Sequence, residues 1–318
     1  GALGITTTSG PGLDLKSEAM GLAVSLELPL IIVDVQRAGP STGIPTKVEQ
    51  TDLMTAIYGR HGESPIPVIA AITPGDCFYV ALEAARIAIT YRTPVIVLSD
   101  AYLANGTEPW SIPDVTSLPA ITPNFAAGPN HQKADGSPEF WPYLRDSETL
   151  ARPWAPPGMA GLEHRVGGLE KGDGHGNVAY DGLNHERMTH LRADKVAGIA
   201  ASIPALEVDD PTGDAEVLVL GWGGTYGSIV AGVTRARARG RKVAHAQLRH
   251  LNPMPANVGE LLKKYPKVLV PELNLGQLSK LLRAEHLVDV KSLSKVQGSP
   301  FRASEIEAGI EAILGGAL

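Results

Sequence analysis

The sequence predicts an α/β protein with two doubly wound domains joined by a long irregular arm. Short apolar runs alternate with helical stretches in residues 1–108 and again in residues 213–318, which is typical of βαβ units around a parallel sheet. Between them, residues 109–212 lose this alternation and accumulate Pro, Gly, His and Trp. A chain of 318 residues is long enough for two domains of ordinary size.

The first domain is predicted to contain four strands and three intervening helices. The strands lie at residues 5–8, 30–35, 68–72 and 94–99, and the helices lie at 16–27, 49–58 and 77–91. Because the strands of a parallel sheet all run in the same direction, their carboxyl ends share one edge of the sheet. Ligands of open α/β sheets bind at that edge.

The arm and the second domain follow. An irregular segment of this length is usually functional or interfacial, and its Trp content argues against disorder. We expect the arm to pack on its own sheet or on a partner subunit, with one good helix at residues 186–201. The second domain is predicted to have strands at residues 216–220, 242–246 and 267–270 and helices at 228–239, 257–264, 275–285 and 304–314.

Composition excludes several classes of function. The net charge is -6 and no basic tract is present, which argues against a nucleic-acid partner. The single cysteine, Cys77, excludes an internal disulfide and any cluster held by several cysteines of this chain. The chain lacks an apolar run of about 20 residues and a signal-peptide pattern, so we expect a cytoplasmic protein without a membrane span.

The loop of residues 34–47, which follows the apolar run at 30–33, has the side chains needed to hold an anion. Arg37 supplies a fixed positive charge, Ser41 and Thr42 supply hydroxyls, and glycines at 39 and 43 allow close approach to the backbone. A guanidinium matches a carboxylate at two points, so the loop predicts a small molecule that carries a carboxylate. A solvated Arg on an ordinary loop is the alternative.

Other glycine-rich stretches carry weaker signals. The turn at residues 6–12 either offers helix amides to a ligand or is a tight structural turn. Residues 221–227 do not match the dinucleotide-binding motif G-x-G-x-x-G, because Tyr226 occupies the position where the motif has its last glycine. We therefore interpret them as a structural turn. Residues 172–174 resemble the opening of a metal-diphosphate motif but follow no apolar strand. With the histidines scattered, we predict no metal site in this chain.

Three motifs together resemble a known family. Thr7 to Gly12 followed by a helix, Arg37 to Lys47, and Glu49 to Leu53 are similar to the alpha subunit of 2-oxoacid:ferredoxin oxidoreductases, most of all to its 2-oxoglutarate branch. The resemblance continues through residues 100–104 and 271–278 and so covers essentially the whole chain. It implies a pyrimidine-type thiamine diphosphate-binding domain at 1–108 and a domain like the C-terminal domain of transketolase at 213–318.

The resemblance also implies an activity. Such an enzyme decarboxylates 2-oxoglutarate oxidatively with coenzyme A, giving succinyl-CoA and CO₂, and passes the electrons to ferredoxin. A partner beta subunit is expected to hold the diphosphate, Mg²⁺ and a [4Fe-4S] cluster. Carried over to this sequence, Arg37 binds the substrate carboxylate, Ser41 and Thr42 complete the substrate pocket, and Ser9 and Gly10 line the cofactor cleft.

One departure from the family pattern limits these expectations. The family has a Tyr-Pro-Ile-Thr-Pro-type segment with a substrate-contacting Thr, and a Glu that activates the cofactor, upstream of the first turn. Neither precedes that turn here, so we expect an N-terminally incomplete subunit without a catalytic residue of its own. The alternatives are the same reaction on pyruvate or a branched 2-oxoacid, a non-catalytic assembly subunit and, third, a nucleotide-dependent dehydrogenase.

Overall fold

The computed structural model describes residues 1–318 and confirms the predicted α/β fold. Strands and helices alternate through the first part of the chain. In order, these elements are β1 (Gly4–Thr8), α1 (Gly10–Leu15), α2 (Ser17–Leu26), β2 (Leu30–Gln36), α3 (Leu53–Tyr58), β3 (Val68–Ala70), α4 (Asp76–Tyr91), β4 (Pro94–Asp100) and α5 (Ala101–Asn105).

The remaining elements form the arm and a second α/β unit. The arm contains two short strands and one long helix, which are β5 (His131–Gln132), β6 (Pro138–Glu139) and α6 (Gly182–Gly198). The second unit comprises β7 (Val217–Trp222), α7 (Tyr226–Ala238), β8 (Val243–Leu248), β9 (His250–Asn252), α8 (Val258–Lys264), β10 (Lys267–Glu272), α9 (Gln277–His286), β11 (Val290–Ser294) and α10 (Ala303–Leu314).

The strands form two main sheets that pack together. The first has the order β1-β2-β4-β3-β9 and the second the order β11-β10-β7-β8. Neighbouring strands in these two sheets are parallel except for β3 and β9. The antiparallel edge strand of the first sheet, β9, therefore comes from the second unit. One hydrophobic core contains side chains of both sheets, including Ile96 and Leu220. The division at residues 108 and 212 stays a prediction, but the two units share a core.

Two helices near the first sheet differ from the prediction. The helix expected at 16–27 begins at Gly10 and is interrupted at Lys16, because Pro11 suits a first helical turn. The helix expected at 49–58 begins only at Leu53. Residues before Leu53 are drawn into contact with the second unit instead, since the Gln50 amide donates to the Leu273 carbonyl at 3.1 Å.

The arm packs on its own chain at the carboxyl end of α2. There Glu27 is 1% exposed and pairs with Lys195 of α6 at 2.7 Å and with Arg145 of the arm. Arg152 donates to the Leu26 carbonyl at 2.9 Å, so a cation lies at the negative end of the helix. No helix of the structure is both long and apolar enough to cross a bilayer.

Acid should weaken this attachment of the arm. Burial by itself raises the pKa of Glu27, but the charges of Lys195 and Arg145 outweigh it and lower the pKa from 4.5 to about 2. Because the folded-state pKa lies below the unfolded value, the stabilisation is complete above pH 4.5 and is lost as the pH falls toward 2. The stability difference between wild type and Glu27→Gln, followed by urea unfolding, should therefore vanish over this range. A difference that is constant with pH would contradict it.

Candidate functional site

The loop after β2 is closed on itself by backbone hydrogen bonds. The Ile44 amide donates to the Ala38 carbonyl at 3.0 Å, and the Ala38 amide donates to the Lys47 carbonyl at 2.9 Å. Gly43 has a φ of +53°, and a Cβ there would lie 1.8 Å from the Ala38 oxygen, so only glycine permits this closure. The closed loop holds Arg37 at its base, directly after the last residue of β2.

A cavity of about 810 Å³ opens where this loop faces the turn after β1 and the second unit. Its volume is in the range of small-molecule sites. Four stretches of chain and one isolated residue line it, namely Gly10, Pro11, Asp14 and Leu15; Arg37, Gly39, Pro40 and Ser41; Glu49, Thr51 and Asp52; Asn274, Leu275 and Gln277; and Val296. The cavity therefore lies at the carboxyl edge of the first sheet, as predicted for a ligand.

Arg37 is the one Lys or Arg that lines the cavity. Its side chain forms no salt bridge within the chain, and its buried Nε has no hydrogen-bond partner. A buried donor without a partner costs free energy, roughly 1–3 kcal/mol. A carboxylate ligand placed in the cavity would satisfy that donor.

Acidic side chains lie in the cavity wall and behind it. Asp34 of β2 is 0% exposed, and neither of its carboxyl oxygens accepts a hydrogen bond from the protein. Burial, then the charge of Asp52, raises the pKa of Asp34 to about 8. The Asp52 amide donates to Gln36 Oε1 at 3.2 Å, and Gln36 Nε2 donates to the Ser99 carbonyl at 3.1 Å. This chain of contacts fixes Asp52 against two strands.

The second unit supplies the remaining wall through side-chain amides. Gln50 Nε2 donates to the Trp222 carbonyl at 2.8 Å, and Asn274 Nδ2 donates to the Gln50 carbonyl at 2.6 Å. Glu272 accepts from the amides of Leu278 and Ser279, at 2.7 and 3.0 Å. Glu272 therefore caps α9, and Asn274 and Gln277 lie in the wall of the cavity.

The five predicted site residues are distributed unevenly about the cavity. Arg37, Ser41 and Gly10 line it, whereas Ser9 and Thr42 do not. Ser9 precedes α1, where its carbonyl accepts from the amides of that helix, and Thr42 is exposed on the loop. Their roles toward substrate and cofactor stay predictions.

Several polar residues of the cavity were missed by sequence reasoning. Glu49 and Asp52 were used only to mark the family motif, and Asp14 was not singled out. An Asp within the apolar run of β2 was the one signal for Asp34, because a carboxyl in a buried strand needs a reason. No cluster of three or more His, Cys, Asp or Glu side chains is placed to hold a metal ion.

Comparison with known proteins places this geometry in a family. Residues 1–178 match the family model described as pyruvate flavodoxin/ferredoxin oxidoreductase, thiamine diphosphate-binding. Residues 215–306 match the model described as pyruvate:ferredoxin oxidoreductase core domain II. The first match covers the first α/β unit and most of the arm, the second lies on the second α/β unit, and the whole of α6 lies outside both.

Individual relatives agree with these matches. The 2-oxoglutarate oxidoreductase subunit KorA of Mycobacterium tuberculosis is 59% identical over 318 residues, which are 100% of this chain and 47% of that protein. The 2-oxoglutarate synthase subunit KorA of Methanothermobacter marburgensis is 32% identical over 96% of this chain and 79% of that protein. The chain thus spans about half of the M. tuberculosis relative.

A solved structure agrees as well. It is the 2-oxoglutarate:ferredoxin oxidoreductase from Magnetococcus marinus with 2-oxoglutarate, coenzyme A and succinyl-CoA bound, which superposes with a TM-score of 0.87 at 36% identity. The superposition covers 96% of this chain and 52% of that one. With the first family model matching more than half of its residues, this chain belongs to the pyruvate flavodoxin/ferredoxin oxidoreductase family.

Proposed function

We propose that this chain provides the substrate-binding part of the alpha subunit of a cytoplasmic 2-oxoglutarate:ferredoxin oxidoreductase. The enzyme converts 2-oxoglutarate and coenzyme A to succinyl-CoA and CO₂ and transfers two electrons to ferredoxin. The observation that carries the proposal is the unpaired Arg37 guanidinium in an 810 Å³ cavity of a family member. The M. marinus relative, whose structure contains 2-oxoglutarate, supports the choice of acid.

Arg37 is proposed to bind one carboxylate of the 2-oxoacid through two parallel N–H···O hydrogen bonds. Ser41, which lines the cavity beside it, and Thr42 on the same loop would donate their hydroxyls. Ser41 has a φ of +53° although it is not glycine. Such a conformation costs on the order of 1–3 kcal/mol and is found disproportionately in ligand-binding loops, which agrees with this role.

The cavity also fits part of thiamine diphosphate. Gly10 leaves the cavity wall open, and the buried Asp52 Oδ2 has no hydrogen-bond partner, so an N–H group of the aminopyrimidine would satisfy it. The chemistry that the cofactor supplies when bound is a nucleophilic carbon and an electron sink for the loss of CO₂. We assign the binding of the diphosphate, Mg²⁺ and a [4Fe-4S] cluster to a partner beta subunit. The two subunits would form a hetero-oligomer that transfers electrons to ferredoxin.

Turnover of the complete alpha–beta complex tests the proposal. Initial rates with a viologen dye as electron acceptor are compared for 2-oxoglutarate, pyruvate and 2-oxoisovalerate at equal concentrations. We expect a kcat/KM for 2-oxoglutarate at least about 10-fold above the others, because pyruvate and 2-oxoisovalerate lack the second carboxylate, which Arg37 would bind through charge-assisted hydrogen bonds. Preference for pyruvate or 2-oxoisovalerate would move the protein to another branch, and absence of turnover with all three would favour an assembly role.

Substitution of Gly10 should impair the cavity selectively. A Cβ at Gly10 would lie 2.8 Å from Asp52 Oδ2, closer than any real Cβ contact, so Gly10→Ala must displace Asp52. We expect thiamine diphosphate binding by the complex, measured by calorimetry, to weaken by roughly 10-fold or more, since one hydrogen bond to a charged group is lost. Gly39→Ala is the matched control, because a Cβ at that cavity residue meets nothing within 4 Å. Equal effects of the two variants would contradict the assignment.

A further inference from the structure

The cavity contains more acidic than basic side chains. Arg37 is its one guanidinium, whereas Asp14, Glu49 and Asp52 all line it. Burial raises the pKa of Glu49, and that of Asp52 is raised as well, first by burial. If every carboxyl were ionised, a carboxylate ligand would meet a net negative wall. The protonation state of these carboxyl groups therefore affects how tightly the cavity binds an anionic ligand.

Asp34 lies directly behind this wall and is buried more completely than any of the lining acids. It is 0% exposed, and its strand neighbours are Thr8 of β1 and Leu98 of β4, which carry no charge. The ionisable groups that face it are Asp52, from the segment before α3, and Asp14 of α1. No cation of the chain reaches Asp34, so an ionised carboxylate there would have nothing to stabilise it.

Asp34 and Gln36 lie on the same face of β2, and the Asp52 amide donates to Gln36 Oε1 at 3.2 Å, which places Asp52 beside Asp34. A hydrogen bond between the two carboxyl groups contributes to the raised pKa of Asp34. Two carboxylates in direct contact cannot both ionise cheaply, so one must carry the proton that joins them. Asp34, deeper and without other donors, is the member that holds this proton, while Asp52 accepts the hydrogen bond and faces the cavity. Gln36 accepts a hydrogen bond from the Asp52 amide and so holds Asp52 beside Asp34.

We propose that Asp34 and Asp52 share one proton behind the cavity wall, and that this proton makes Asp34 a positioning residue that sets the affinity of the Arg37 site for carboxylates. With the proton present, the pair carries one negative charge and Arg37 can bind an anionic ligand. When the proton leaves, a second negative charge appears beside the ligand and opposes binding. The choice of 2-oxoglutarate as ligand rests on the proposed function, but the proton-sharing pair does not.

A pH titration of binding tests the pair. Dissociation constants of 2-oxoglutarate for the complete alpha–beta complex are measured between pH 6.5 and 9.5 for wild type and Asp34→Asn. We expect wild-type affinity to fall on the order of 10-fold as the pH rises through about 8, the pKa of Asp34. In Asp34→Asn the affinity should stay flat, because the amide donates the same hydrogen bond to Asp52 and cannot ionise. A parallel fall in both enzymes would overturn the proposal.

Infrared spectroscopy supplies a second readout that needs no substrate. Wild type should show a protonated-carboxyl C=O band that disappears between pH 7 and 9.5, and Asp34→Asn should lack this band. Should the variant fail to fold, the wild-type titration still decides, since absence of such a band overturns the pair. If the complex binds pyruvate or 2-oxoisovalerate instead of 2-oxoglutarate, the proposed function fails, and the same pH titration with the acid that binds still tests the pair.

Discussion

Arg37→Ala is expected to lower kcat/KM for 2-oxoglutarate by roughly 100-fold in the complete enzyme. Arg37 is the cavity's one cation and has no partner within the chain, so its guanidinium is free to pair with a substrate carboxylate. Removing one partner of a hydrogen-bonded charge pair costs about 2–5 kcal/mol, and 1.4 kcal/mol corresponds to 10-fold. If the contact is equally strong in the ground state and the transition state, the loss appears mainly in KM.

Two companion variants make this result specific. Lys47→Ala removes a positive charge from the exposed end of the same loop, outside the cavity lining, and should change kcat/KM less than 3-fold or so. Arg37→Lys keeps the charge but loses the planar fork, so an intermediate loss of about 10-fold is expected. Equal losses in Arg37→Ala and Lys47→Ala would mean that the loop acts only through its overall charge, and the proposed carboxylate contact would be wrong.

Glu27→Gln is expected to lower the melting temperature of the complex by roughly 5–10 °C. Glu27 is 1% exposed and is the counter-charge of both Lys195 and Arg145, whose side chains are 3% and 6% exposed. The amide leaves both cations buried without an opposite charge, which typically costs 3–5 kcal/mol. Because these contacts join α2 to the arm and to α6, we expect the arm to become sensitive to proteolysis first.

The exposed pair of Arg241 and Glu311 provides the control. It has similar geometry, with 2.6 Å between Arg241 Nη2 and Glu311 Oε2, but 49% and 35% of the two side chains are exposed. Glu311→Gln should therefore shift the melting temperature by less than about 2 °C, since water and salt screen exposed ion pairs. A large shift in this variant, or none in Glu27→Gln, would show that burial does not decide the strength of these pairs.

Strand and helix positions of the two α/β units were largely predictable because their patterns are local. The prediction was wrong where a contact distant in sequence overrides the local pattern. Residues 49–52 do not form a helix, since Gln50 pairs with Leu273 in the second unit. Strand β9 was missed because three residues carry too little periodicity, and only the neighbouring β3 makes them a strand.

In the candidate site, too, the part formed by one short stretch of sequence was predicted, and the part formed by distant residues was not. The Arg37 loop was found from sequence because its residue types, one Arg among hydroxyls and glycines, are chemically distinctive wherever they fold. The acidic wall was not found, because Asp14, Asp34 and Asp52 are separated along the chain and meet only when β2 and the segment before α3 pack against the turn after β1. The raised pKa values of Asp34 and Asp52 arise first from burial, which is a property of the folded protein.

By itself, then, the sequence determined the fold class, the family and the position of one anion-binding loop, since each depends on residue types in a short stretch. The tertiary structure decided which predicted residues share a cavity, and it placed Ser9 and Thr42 outside the cavity lining. It also decided how the arm is held, through Glu27, and in which direction burial and neighbouring charges shift the pKa values of the carboxyls. Distances and dielectric environment between distant residues govern these properties, and neither exists before the chain folds.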